Sequence, residues 1–318
     1  VIYEVKGANT NANTFGHVGA NIVSTGNIVI NTGGQNAQMA NPAGIGGQDH
    51  CMDQIVPIEL LGTEYIVVQG YGGANEKVFV TATTGGTALF LNGSPTPFIT
   101  LAEGQQALIP GSNFTGGTMF IETSEPAYVH HAVMGSAANY ANQGLNFIPP
   151  LSCFASTIAD EIGRVGRINS TNYSNTKFYV IHGTTATTTV RRNGAVISPS
   201  SVLAITGTTD YEVLVFSPAV VGTNANWDVV SNEAVSVSYL GADGPASFAS
   251  YVSDYPLRPV VKLNLSPDGC TGLLIANSGP WTIQWYRDGV TLTGDTGLTS
   301  IVPIAGDHSF DATKAIAH

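Results

Sequence analysis

Two short stretches of this 318-residue chain carry side chains whose types and spacing could do chemistry. Asp49-His50-Cys51-Met52-Asp53 sets metal-compatible atoms on alternate residues. Asp49, His50 and Asp53 are the candidate metal ligands, although the spacing matches no known site and Asp53 could equally bond turn amides. His130 and His131 are adjacent in a strand, so their side chains leave on opposite faces and cannot chelate one ion together. Ordinary half-exposed strand residues are the plainer reading of both. Asp-bearing loops at Gly241-Ala242-Asp243-Gly244, Pro267-Asp268-Gly269 and Gly294-Asp295 could hold Ca²⁺. None supplies oxygens at the offsets of an EF-hand loop, and Asx-turns explain them more simply. No other cofactor is expected.

Catalysis has no motif behind it. There is no Gly-x-Ser-x-Gly elbow, and the Gly-rich loops lead into strands rather than helices, which leaves a phosphate cradle unsupported. The carboxylate pair of a glycosidase is set by distance in space, and nothing in the sequence singles one out. The expectation is a protein that is not an enzyme. Tyr65, Tyr71, Tyr128, Tyr140, Tyr173, Tyr251 and Tyr255 could line a sugar-binding shelf, with Tyr71 among glycines and Tyr140 in an Asn-rich stretch as the candidate binding residues. Aromatic residues in strands are more often cross-strand partners.

Three cysteines, Cys51, Cys153 and Cys270, lie far apart without a CxxC, which argues against zinc. One Cys51–Cys153 disulfide with a spare thiol, or three unpaired buried thiols, both fit. Asn-x-Ser/Thr sequons occur at Asn92, Asn113, Asn169, Asn172 and Asn264.

The elements that must position these residues are strands. Only 10% of the chain is charged, against roughly 25% in an ordinary globular protein, while 43% is hydrophobic. Such a composition suits strands whose outer faces carry Thr, Ser and Asn. A net charge of −11 and a pI near 4.9 exclude a phosphate-neutralising basic stripe, hence nucleic acid, and argue against docking on anionic lipid. No run of 18 apolar residues exists to span a membrane, and no signal peptide is visible. Val1 in place of Met points to a start upstream.

Gly19 to Ile30 predicts two strands around Thr25-Gly26-Asn27, followed by a Gly33–Gly47 loop. Glu64–Val68, Lys77–Ala82, Thr87–Leu91 running into Asn92-Gly93, Phe98–Leu101 and Ala107–Ile109 predict further strands. Thr118 onward reads as two strands about a Ser124-Glu125-Pro126 turn. No window shows a sustained 3.6-residue period, and only Asp160-Glu161-Ile162 suggests a turn of helix.

The same grammar recurs. Val23–Ile30 lines up with Glu122–Val129 and with Val230–Val237, at steps of 99 residues (23 to 122) and 108 residues (122 to 230). Lys77-Val78-Phe79-Val80 with Asn92-Gly93 is echoed by Lys177-Phe178-Tyr179-Val180 with Asn193-Gly194. The expected organisation is all-β: part of a first unit over 1–53, β-sandwich-like units over 54–153 and 154–255, and an immunoglobulin-like module over 256–318. In the last, Cys270 and the Trp of Gln284-Trp285-Tyr286 stand where strands B and C would carry them. No second cysteine follows to form the inter-sheet disulfide. Asn139–Cys153, ending in Pro149-Pro150, reads as the seam that sets the angle between units.

Asp53-Gln54-Ile55-Val56-Pro57, Leu61-Gly62-Thr63-Glu64-Tyr65 and Gly144-Leu145-Asn146-Phe147-Ile148-Pro149-Pro150-Leu151-Ser152-Cys153 resemble the N-terminal region of IgG-Fc-binding-protein-like domains. With Asp160-Glu161-Ile162, Tyr239–Phe248 and Gln284-Trp285-Tyr286 in the same order, the chain more closely resembles the large surface adhesins of gliding Bacteroidetes. The resemblance implies secretion to the outer surface, long parent chains and an adhesive role. The expected function is an extracellular adhesin or filament segment whose partners are surface glycans or other cell-surface polymers. Self-assembly into a fibre is a further expectation. The alternatives are a carbohydrate-binding module and a β-scaffold hydrolase.

Overall fold

The chain is all-β, and every strand pairing is antiparallel. The structure, a computed structural model, describes residues 18–26, 28–37, 49–134, 143–152, 155–168, 170–222, 224–244, 246–252, 261–265, 271–276, 281–293, 296, 299–303 and 308–314. Two units divide it, Val1–Pro256 and Leu257–His318.

The first unit opens with a hairpin of β1 (Ile30–Ala37) and β2 (Asp49–Ile55). A sandwich follows, built from β3 (Gly62–Val68), β4 (Lys77–Ala82), β5 (Thr87–Leu91), β6 (Ile99–Leu101), β7 (Gln106–Pro110), β8 (Thr118–Met134) and β9 (Gln143–Phe147). The 17-residue β8 organises it. Its first part, Thr118–Thr123, pairs with β3 on one side and β5 on the other. Its second part, Ala127–Met134, pairs with β4 and β9. One strand therefore serves both sheets, and Ser124-Glu125-Pro126 is the corner between them. Pro126 falls where β8 exchanges partners, so its missing N–H breaks no ladder bond. Side chains hold the corner. Thr83 Oγ1 donates to the Pro126 carbonyl at 2.5 Å, and Ala88 N donates to Ser124 Oγ at 2.9 Å. The buried Tyr65 hydroxyl lies 2.5 Å from the carbonyl oxygens of both Gly62 and Ala127. Tyr65, Val67, Val80, Leu89, Ile109, Met119 and Ile121 fill the space between the sheets.

The second sandwich comprises β10 (Ile158–Val165), β11 (Arg167–Ile168), β12 (Thr171–Asn172), β13 (Asn175–Gly183), β14 (Thr188–Arg192), β15 (Ala195–Val196), β16 (Ser201–Ala204), β17 (Tyr211–Phe216), β18 (Ala225–Ser231), β19 (Ser236–Asp243) and β20 (Ala246–Tyr251). Its sheets are β10-β18-β14-β15 and β16-β17-β13-β19-β20, and β11 with β12 forms a small hairpin. Here β18 and β19 occupy the places that the two parts of β8 hold in the first sandwich, with the chain broken at Asn232-Glu233 rather than bent. Trp227 is wholly buried, stacked on Phe178 at 4.4 Å and edge-on to Phe216 at 5.4 Å. Asn92-Gly93 and Asn193-Gly194 both adopt positive φ, which closes a two-residue hairpin in each sandwich.

The two sandwiches share a third core. Along β3, Tyr65 and Val67 point into the first sandwich while Ile66 and Val68 point out, as the period of two demands. Ile66, Val68 and Phe120 pack on the outward residues of the second sandwich, Tyr179, Ile181, Val213, Val215 and Leu240. Each such burial contributes about 1.5–3 kcal/mol.

In the second unit, β21 (Val261–Leu265), β22 (Thr271–Ala276) and β25 (Thr299–Pro303) form one sheet in the order β21-β22-β25. The other, ordered β24-β23-β26, is made of β23 (Trp281–Arg287), β24 (Val290–Thr291) and β26 (His308–Lys314). The strands expected to be B and C thus lie in different sheets, and Trp285 is buried. Cys270 lies outside the described residues.

Four sequence expectations are corrected. Thr118–Met134 is one strand, because the corner keeps its direction. Residues 19–29 form no strand among those described, and Ile22, Val23, Ile28 and Val29 are exposed. Alternation without a face to cover does not make a strand. Gly33–Ala37 is not loop but part of β1, where β2 supplies the partner. Asp160-Glu161-Ile162 is in β10, whose irregular register carries positive φ at Glu161 and Arg164.

Gly207 (φ +103°) touches the hairpin of the first sandwich, and a β-carbon there would lie 2.4 Å from the Asn92 carbonyl carbon. Gly194 (φ +80°) has open space around it. Both Gly→Ala changes carry about 1 kcal/mol of backbone strain, and only Gly207→Ala adds the clash. Urea midpoints should therefore fall clearly further for Gly207→Ala. Equal shifts would show that this close approach does not matter.

Candidate functional site

A buried polar cluster lies where the two sandwiches meet. Glu76, in the residue before β4, is fully buried. Its carboxylate accepts from Gly70 N at 2.9 Å and Gly72 N at 2.7 Å, and lies 2.8 Å from His131 Nε2. His131 is itself 1% exposed, with Phe114 against its ring at 5.7 Å. The loop folds around Glu76 because three of the four residues from Gly70 to Gly73 lack side chains. A β-carbon at Gly70 would lie 2.8 Å from Glu76 Oε1.

Lys177 reaches this loop from the second sandwich. Its ammonium donates to the Gln69 and Gly70 carbonyls at 3.3 and 3.5 Å and sits 4.5 Å from the centre of the Tyr71 ring. Burial lowers the Lys177 pKa, and the nearby Glu76 charge opposes that shift. Burial also pushes Tyr71 and Tyr179 up to about 12, so both stay protonated. The Tyr71 hydroxyl is enclosed and has no hydrogen-bond partner among the described residues. Tyr71 is therefore not an exposed shelf residue, because Lys177 covers its ring.

A second polar group closes the opposite end of the second sandwich. His182 Nε2 lies 3.1 Å from Glu212 Oε1, and Nδ1 lies 3.0 Å from Thr188 Oγ1. Thr188 continues to Ser231 at 2.9 Å. An acid, an imidazole and a hydroxyl in series could relay a proton. In the first sandwich Ala82 and Thr87 stand in the strand positions of His182 and Thr188, so the imidazole has no counterpart there.

Of the metal candidates, Asp53 is committed to the backbone. Its carboxylate accepts from Phe147 N at 2.5 Å and Gln54 N at 2.7 Å, tying β2 to β9. Asp49, His50 and Cys51 lie in β2, with side chains outside the described residues. Tyr140 and Cys153 also lie outside them. No group of three or more metal-ligating side chains occurs among the described residues. Asp243, in the one Asp-bearing loop described, is exposed beside the Gly244 turn.

The histidine pair separates as strand geometry requires: His130 is half-buried, with its Nε2 enclosed, while His131 is fully buried and not half-exposed as expected. His131 is the partner of Glu76. His130 lies between Tyr128 (6.4 Å, stacked) and Phe147 (5.6 Å, edge-on), two rings that pack with Val56 and Leu61. Tyr128 donates to the Val56 carbonyl at 2.7 Å. Sequence reasoning also missed Glu76 and Lys177 as site residues. Their only signal was their place beside the repeated Lys-x-Phe/Tyr-x-Val strands.

Residues 5–244 match the family described as IgGFc binding protein. The chain belongs to that family. Its members supply binding domains, typically extracellular, rather than enzymes. Among curated proteins no match is found. The matched span ends at the β19–β20 turn, so it takes in the first sandwich, the second as far as β19, and the cluster between them. No helix among the described residues is long and apolar enough to cross a membrane.

Burial holds the His130 imidazole down at about 4, against an ordinary value of 6.5. Over that window the unfolded chain binds a proton that the folded chain refuses. The contribution is therefore complete above about pH 6.5 and lost as pH falls toward 4, on the order of 3 kcal/mol in all. His130→Phe should flatten this part of the stability profile between pH 7 and 4.5, measured by urea unfolding. Parallel profiles for the two proteins would contradict it.

Proposed function

We propose that this chain is a stiff extracellular binding segment of a large bacterial surface adhesin of the gliding Bacteroidetes type. Residues 54–153 and 154–255 act as tandem units that present a fixed surface to a partner on another cell or polymer. The observation that carries this reading is the shared core. A binding segment that transmits force gains from modules that cannot swing, and nine buried side chains from both sandwiches meet between them. Lys177 adds a directional contact across the same boundary. Membership of a family of extracellular binding domains supports the partner-binding part of the reading. The charge-poor strand faces leave recognition to loops and sheet ends.

The family description makes an immunoglobulin Fc fragment the first protein ligand to test. The full chain is passed over immobilised Fc, whole bacterial cells and host-cell surfaces by surface plasmon resonance. Saturable binding to at least one, abolished by unfolding the chain, is the expected outcome. Absence of binding to all three would overturn the adhesive reading.

A further inference from the structure

Cations are scarce in this acidic chain, yet four of its eleven lie in the second sandwich on β10, β11 and β14, namely Arg164, Arg167, Arg191 and Arg192. Three of them share one end. Arg192 is the cross-strand partner of Trp227. A β-carbon at Gly222 would lie 2.8 Å from Arg192 Nη2, and one at Gly166 would lie 2.8 Å from the Gly222 carbonyl oxygen. Gly166, between Arg164 and Arg167, thus brings both arginines to the end that Arg192 caps. Arg164 and Arg167 are exposed. Among the described residues no carboxylate pairs with Arg164 or Arg192.

Two donors at this end have no acceptor. Arg192 Nε and Trp227 Nε1 are both enclosed and unpartnered among the described residues, and Trp227 is 0% exposed. Buried N–H groups are nearly always paired, so the half-buried Arg192 guanidinium stands ready for an acceptor, whereas Trp227 Nε1 lies in the apolar core beyond the reach of a ligand. Aromatic surface adjoins it. Tyr173 N donates to the Gly166 carbonyl at 2.8 Å, and the half-buried Tyr173 and Phe248 rings meet at 4.7 Å. Phe248 lies over Gly241, where any side chain would collide with it.

We propose that this end of the second sandwich binds an acidic glycan. Arg164, Arg167 and Arg192 take a carboxylate or sulfate, and Tyr173 with Phe248 meets the sugar's apolar face. Guanidinium forks match the two oxygens of such groups. The part-exposed Tyr173 and Phe248 rings beside them favour a sugar, whose C–H face packs on an aromatic face, over an acidic peptide, which offers no such face. The proposal names a partner class for the adhesive reading and rests on it. The two fail separately, because a chain that binds Fc or cells but no acidic glycan keeps the reading and loses this site.

The test is isothermal titration calorimetry on the full chain with oligogalacturonate and dextran sulfate, against neutral dextran and poly-glutamate. At least one acidic glycan should bind with an affinity that falls as salt rises, while neutral dextran and poly-glutamate bind at least tenfold more weakly. The exposed-site variant Arg164→Gln/Arg167→Gln should lose tenfold or more in affinity, and Arg164→Gln alone should lose affinity while keeping the parent's melting curve. Tyr173→Ala should also weaken glycan binding. Arg191→Gln, one residue along β14 and so on its opposite face, should bind within twofold of the parent. Absence of glycan binding, equal affinity for poly-glutamate, or unchanged binding by the double variant would each overturn the proposal.

Discussion

The structure depends on one constraint: where the sandwiches meet, the sheet containing β3 and the first part of β8 is apolar on both faces. Its inner side chains fill the first sandwich, and Ile66, Val68 and Phe120 on the other face would stand in water without the second sandwich. Parallel sheets of α/β folds usually solve this by covering both faces with helices. Here a second sheet does so. Burial on both faces then requires successive apolar residues in each strand, which explains the runs Tyr65–Val68 in β3 and Phe178–Ile181 in β13.

Apolar burial supplies the stabilisation at this boundary, and the buried charges supply its register. A buried ion pair gives little net stability, since desolvation offsets most of the attraction, but it tolerates few alternative arrangements. Glu76 gathers two amides and an imidazole, and its loop offers outward carbonyls to Lys177. A slip of the second sandwich would strand that ammonium among groups unable to receive it. The Gly93–Gly207 contact adds a steric limit in the same place.

Much of the fold was legible in the sequence. Lys77…Asn92-Gly93 and Lys177…Asn193-Gly194 marked equivalent hairpins, because a two-residue turn with positive φ leaves a chemical signature. The Ser124-Glu125-Pro126 corner was not legible as a corner, since a proline break looks alike whether the chain reverses or passes between sheets. Gly33–Ala37 became strand through its partner β2, which local propensity does not report. The site was less legible than the fold. Glu76 and Lys177 look like surface charges at strand starts, and only distant partners, His131 for Glu76 and the Gln69 and Gly70 carbonyls for Lys177, make their places legible. Tyr71 was recognised as unusual among its glycines, but the lysine that covers it belongs to the other sandwich.

This division of labour places rigidity between the sandwiches and leaves recognition at their ends. Hydrogen exchange of the full chain, followed by mass spectrometry under native conditions, tests the central claim most directly. If the shared core makes the sandwiches one cooperative body, peptides from β3–β8 and from β13–β19 should exchange through openings of the same free energy and respond together to mild urea. Exchange of one sandwich through a global opening while the other stays protected would contradict the account.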